Sequence, residues 1–186
     1  SYNVNQDRLT EFLKLNSDTD LMNFMNQNIT YGWKDCNQGL HFNNLKGFRE
    51  SYRISSINEM LETGLGTCIE QAKLIKYFFD KIGLENKIYC HRRYETEENA
   101  DNEVRMHCFV LFKYNDYWYH FEHSNRPKRG IHKYESVESA IKDITSGFEI
   151  TDIRKLTEIS EIPDGLTFKE FNEYVNQFDK ENIKRL

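Results

Sequence analysis

The chain has 186 residues with 25 basic and 30 acidic side chains, for a formal net charge of −5, a mass of 22.3 kDa and a pI near 5.7. One domain with a substantial core fits that length, and an aromatic share of 14% excludes wholesale disorder, because disordered chains are poor in aromatic residues. No run of about 18 apolar residues occurs, so no membrane-spanning helix is expected, and an acidic chain without a concentrated basic face argues against nucleic acid as a partner.

In chain order, Leu9, Phe12 and Leu13, then Leu21, Phe24 and Met25, recur at helical spacing, with Ser17 or Asp18 as caps between them. The opening third, to about residue 63, reads as helix and loop. Ser56 and Glu59 form a capping box that runs into Gly64 and Gly66. Thr67 and Glu70 form a second box, which opens a helix with Cys68 in its first turn. Cys68, Ala72, Ile75, Phe79 and Ile82 share one face of it, Leu74 and Phe78 widen that face, and Gly83 closes the helix. From Lys87 the period changes to two. Strands are predicted over 87–94, 107–114 and 117–123, with an acidic loop over 95–105, and Asn115-Asp116 suits a two-residue hairpin turn between the last two. A basic turn at 126–129, a helix near 136–145 and an amphipathic helix over 167–178 follow. Helices first and strands later, without βαβ alternation, predict an α+β fold.

Cys68 is the informative cysteine. A helix N-terminus favours its thiolate, and Gly64 and Gly66 are expected to leave room for a substrate backbone. A nucleophile needs a base, and the base needs an orienting group. If Asn115-Asp116 is a two-residue turn, Phe109 faces Glu122 and His107 faces Ser124. His107 and Glu122 then become diagonal neighbours on one sheet face, about 7–8 Å apart at most, within reach of an imidazole–carboxylate hydrogen bond. Cys36, Cys90 and Cys108 are read as ordinary cysteines, with Cys108 in the core on the face opposite His107. Too few cysteines occur for a disulfide scaffold, and no C-x-x-C pair is present. Strand alternation turns His120 away from His123 and Cys90 away from His91, so no metal site is expected. His120 is read as a surface histidine on the face of the triad.

The segments G-T-C-I-E-Q-A (66–72), H-C-F-V-L-F (107–112) and W-Y-H-F-E (118–122) resemble the three core motifs of the transglutaminase-like superfamily, in the same order of Cys, His and acid. The resemblance spans roughly residues 29–124, with Tyr31 in the segment leading into the core. It implies a papain-like α+β fold in which a central helix carrying Cys68 packs on an antiparallel sheet carrying His107 and the acid. The chain is then one domain over 1–186, with N-terminal helices over 1–28 and a C-terminal helical extension over 130–186. The usual acid is Asp, and here the position holds Glu122. Trp33 resembles the tryptophan of animal transglutaminases in its spacing before Cys68, which makes it the candidate oxyanion-hole donor.

The chemistry implied is acyl transfer, which needs no cofactor. Cys68 attacks an amide carbonyl of a peptide or protein substrate, His107 moves the proton, Glu122 holds the imidazole, and hydrolysis is the expected outcome (thiol peptidase or deamidase). Transamidation, an arylamine-type acetyltransferase and a catalytically silent interaction module are the alternatives. A chain rich in Asn, Lys, Ile, Phe and Tyr fits an AT-rich bacterial source. The absence of a visible signal peptide after Ser1 makes the cytoplasm the expected location, and the sequence leaves the oligomeric state open.

Overall fold

The hairpin at Asn115-Asp116 sets the architecture. The computed structural model describes residues 4–148 and 152–179. Its elements are α1 (Val4–Leu13), α2 (Asp18–Asn28), β1 (Gly32–Lys34), β2 (Leu40–Phe42), α3 (Phe48–Ser51), α4 (Ile57–Thr63), α5 (Cys68–Lys81), β3 (Asn86–Tyr94), α6 (Ala100–Glu103), β4 (Arg105–Tyr114), β5 (Tyr117–Glu122), β6 (Gly130–Tyr134), α7 (Val137–Ile144), β7 (Ile153–Ile159) and α8 (Phe168–Asn176). Asn115 and Asp116 both have positive φ, 49° and 68°, as a hairpin turn matched to strand twist requires. The register runs from Tyr114↔Tyr117 to Val110↔Phe121, as the sequence predicts.

Five antiparallel strands follow the order β6-β5-β4-β3-β7. Helix α5 lies on one face of this sheet. Phe79 stacks on Phe112 of β4 at 4.1 Å between centroids, and Ile75, Phe78, Ile88, Cys90, Val110 and Phe121 close the layer. Phe12, Leu21, Phe24 and Met25 from α1 and α2, and Phe171 and Val175 from α8, complete the same core. Burying each such side chain contributes about 1.5–3 kcal/mol. The other sheet face carries a smaller cluster, Tyr89, Phe109, Leu111, Trp118 and Leu156, under Ala140 of α7.

The expected α+β class and the Cys-bearing helix on an antiparallel sheet are both present. The helical extension over 130–186 is corrected. That region adds β6 to one edge of the sheet and β7 to the other, besides α7 and α8. Strand β7 escapes a hydrophobic pattern because two of its buried residues are polar and satisfied. Arg154 donates to the Thr145 carbonyl at 2.7 Å, and Thr157 receives a guanidinium N–H of Arg92 at 3.1 Å. Residues 1–3 of the expected N-terminal arm, and 149–151 and 180–186 of the extension, lie outside the described residues. The acidic segment 95–105 folds into a 3-10 turn and α6. No described helix is long and apolar enough to cross a membrane.

Candidate active site

Helix α5 starts where its capping box dictates. The Thr67 N–H donates to Glu70 Oε1 at 2.9 Å, and Thr67 Oγ1 accepts from the Ile69 N–H at 3.2 Å. The other Glu70 oxygen receives the Ser55 N–H at 3.2 Å and the Tyr52 hydroxyl. Burial raises the Glu70 pKa despite these donors. The box therefore anchors the first turn in the core and fixes Cys68 at the first helical position, where the N–H groups have no intrahelical acceptor.

Gly64 and Gly66 serve packing rather than substrate approach, which corrects the sequence reading. Gly64 is the left-handed C-cap of α4, with φ 70°. A Cβ on Gly66 would meet Met60 Cε at 2.6 Å. Backbone bonds from Thr30 N to Gly64 O (2.8 Å) and from Gly66 N to Thr30 O (3.1 Å) zip this loop to the segment before β1. That ladder brings Tyr31 to the cavity that Cys68 lines.

His107 on β4 and Glu122 at the end of β5 meet as the register predicts, with Nε2 and Oε1 2.6 Å apart. The second carboxylate oxygen accepts from Ser124 Oγ (3.2 Å) and the Asn125 N–H (3.3 Å). Ser124 and Asn125 thus orient Glu122 while Glu122 orients the imidazole. Burial opposes charge on His107, yet the neighbouring Cys68 and the hydrogen-bonded Glu122 prevail and raise its pKa to about 10. Burial likewise opposes charge on Glu122, and the hydrogen bond to His107 with His120 close by holds it below the ordinary carboxylate range. At Cys68 the Cys108 thiol is the leading influence. It and the hydrogen bond and charge of His107 hold Cys68 well below an ordinary thiol, against desolvation. The three groups share the signature of a thiolate–imidazolium pair braced by a carboxylate.

Several groups differ from their sequence reading. The Trp33 indole N–H donates to the Asn44 carbonyl at 2.7 Å, and the ring stacks on His41 across the β1–β2 pair. That donor is committed, so the oxyanion-hole assignment of Trp33 is corrected. His120 is buried rather than superficial, with Nε2 3.6 Å from Glu122 Oε1. His123 points the other way and donates its Nδ1–H to Gln71 Oε1 (2.7 Å), while Gln71 Nε2 donates to the Gly66 carbonyl at 2.9 Å. This latch ties the end of β5 to the loop before Cys68. It was missed because neither residue type signals a structural clasp. Cys108 packs in the core beside Cys90, the sulfurs 3.2 Å apart.

Two cavities meet at the triad. One of about 340 Å3 is lined by Cys68, Tyr31, Leu45, Phe48, Met106 and Phe168. The second, of about 410 Å3, is lined by His107, Glu122, His91, His120, Arg93 and Arg105 among others. Arg105 and Met106 belong to both walls. A larger cavity of about 760 Å3 lies on the sheet face beside α7 and includes none of the triad. Among the described residues no cluster of His, Cys, Asp and Glu has the arrangement of a metal site.

No family model and no curated protein matches the chain. Among solved structures, an arylamine N-acetyltransferase from Bacillus cereus, described as having a unique Cys-His-Glu catalytic triad, aligns with 98% of this chain and 79% of its own at 16% identity, with a TM-score of 0.44. A likeness of that extent assigns neither family nor activity to this chain.

Proposed function

We propose that this chain is a cysteine-nucleophile acyl-transfer enzyme of the transglutaminase-like kind, acting on peptide or protein amides with water as the final acceptor. The observation that carries the reading is the 2.6 Å contact of His107 with Glu122, beside Cys68 at the start of α5, whose Sγ lies 3.9 Å from the carbonyl of Met106, the residue before His107.

The reaction follows from the charges. The Cys68 thiolate adds to the carbonyl carbon, and the Cys68 N–H, at the helix start, is a donor for the developing oxyanion. Imidazolium His107 gives its proton to the leaving amine, and the C–N bond breaks to leave a thioester. The now neutral imidazole takes a proton from water, which adds to the thioester, and the carboxylic acid leaves with return of the thiolate and imidazolium. Glu122 keeps the imidazole in one tautomer and stabilises its charge.

The apolar walls of the smaller cavity, Leu45, Phe48, Met106 and Phe168, suit the acyl part of such a substrate. Mass spectrometry of the protein incubated with a mixed peptide pool tests the proposal. Mass gains of 1 Da at Gln side chains, or chain cleavage, are expected, together with hydroxamate products when hydroxylamine is added, and all are lost in Cys68→Ala. Amine adducts in preference to hydrolysis would make the enzyme a transamidase. Products that persist in Cys68→Ala would refute the proposal.

A further inference from the structure

The cavity of about 410 Å3 on the His107 side carries more charged side chains than its neighbour, which has Arg49, Glu50 and the shared Arg105 among its apolar walls. Arg93, Arg105 and Lys128 line it, together with His91, His120, His132, Asp143 and Glu122. The local carboxylates already have partners. Glu122 holds His107, and Asp143 accepts the Tyr134 hydroxyl at 2.5 Å. Asp152, itself buried, sits between two guanidiniums, 3.1 Å from Arg105 and 3.9 Å from Arg93. Lys128 is exposed and forms no ion pair among the described residues.

The second observation is independent of charge. His91 is only 3% exposed, and its Nε2 has no hydrogen-bond partner although its ring lines the cavity. Burial, then the nearby Arg154, lowers His91 to about 4. It is therefore a neutral ring near pH 7, able to donate one N–H without adding charge.

We propose that this cavity is the subsite for an oxyanion-bearing part of the substrate, a carboxylate or phosphate group, held by Arg93, Arg105 and Lys128, with the neutral ring of His91 in its wall. The assignment deepens the acyl-transfer reading and rests on it. The acyl group lies in the apolar cavity, and the leaving group or acceptor extends past His107 into the basic one. Arg105 stands where the two join.

Two disulfide reagents that report a thiol by colour separate the possibilities, in a Cys36→Ser background that removes the exposed cysteine. Dithiobis-nitrobenzoate carries a carboxylate on each ring, and dithiodipyridine carries none. The readout is the ratio of their rates at Cys68, so a change common to both cancels. Arg93→Gln and Lys128→Gln should each lower the anionic-to-neutral ratio about threefold or more, and added salt should compress it. Lys81→Gln, at the far end of α5 from Cys68, should leave it unchanged. Lys128 is exposed, so its variant folds even if the Arg93 variant does not.

Phosphate and acetate at constant ionic strength then distinguish the oxyanions. Slowing of the anionic reagent by phosphate alone assigns a phosphate group, and slowing by both assigns a carboxylate. A ratio unmoved by both cavity variants, or slowed by neither anion beyond chloride, overturns the subsite while leaving the nucleophile intact. If the neutral reagent fails to react with Cys68, the acyl-transfer reading falls, and the subsite falls with it.

Discussion

A glutamate at position 122 is one methylene longer than an aspartate, and the diagonal placement across β4 and β5 absorbs that length. With both oxygens held, at His107 on one side and at Ser124 and Asn125 on the other, the carboxylate has little rotational freedom. Glu122→Gln should keep the fold and lower kcat about 100-fold or more, with KM changed far less. A carboxamide presents either an N–H or a neutral carbonyl to Nε2, so it misplaces the imidazole proton or withdraws the charge that stabilises imidazolium. Steady-state kinetics check this, and an unchanged kcat would remove Glu122 from the mechanism. Cys108 makes a second prediction. Its thiol is the leading influence lowering Cys68, so Cys108→Ala should shift the acid limb of the Cys68 alkylation rate to higher pH. An unmoved limb would leave His107 and the helix start as the sources of thiolate stability.

At the scale of elements, what the sequence made legible is what depends on local rules. The α5 capping box, its Cys-to-Ile face and the Asn115-Asp116 turn each belong to a few consecutive residues, and together they fixed the meeting of His107 and Glu122. Strands β6 and β7 depend on partners far along the chain, and β7 buries polar side chains whose satisfaction no local pattern displays. Arg92 shows the same dependence. Buried in β3, its guanidinium donates to Asn172 (3.1 Å), Asn176 (2.5 Å), Thr157 (3.1 Å) and Asp179 (2.5 Å), fastening the α8 region to the sheet. Arg92→Leu leaves Asn172 without this donor while Asp179 keeps Thr157 Oγ1 at 2.5 Å and Lys155 at 3.8 Å, and should destabilise the protein by about 1–3 kcal/mol. Urea unfolding reads this directly, and a loss under about 1 kcal/mol would mean that the α8 junction is held by its apolar contacts alone.

For the whole molecule, the triad and the buried histidines together shape stability against pH. The folded Cys68–His107 pair binds one proton as thiolate and imidazolium. The unfolded pair binds two below about pH 6.5, one between about 6.5 and 8.5, and none above. Stability rises with pH wherever the unfolded chain holds more protons, so the pair makes it climb up to about 6.5 and stay level to about 8.5. Above that it declines, until His107 loses its proton near about 10. His91 and His123 stay neutral down to about 4, so each adds to the acid-side loss between about 4 and 6.5, by about 3 kcal/mol at most. Denaturant midpoints from pH 4.5 to 10 at fixed ionic strength should trace a plateau between about 6.5 and 8.5 with a fall on both sides. Stability that declines from about pH 6.5 upward would show that the folded pair holds two protons rather than one.

The most direct test of the central claim needs no substrate. At pH 6 to 6.5 an ordinary thiol, titrating near about 8.5, is almost wholly protonated, whereas the Cys68 thiolate braced by His107 and the start of α5 persists. Native protein should then take up one equivalent of iodoacetamide at Cys68, with Cys90 and Cys108 shielded by burial and the exposed Cys36 largely unmodified, and His107→Ala should slow the labelling. Four cysteines inert until denaturation, or Cys36 reacting ahead of Cys68, would contradict the account.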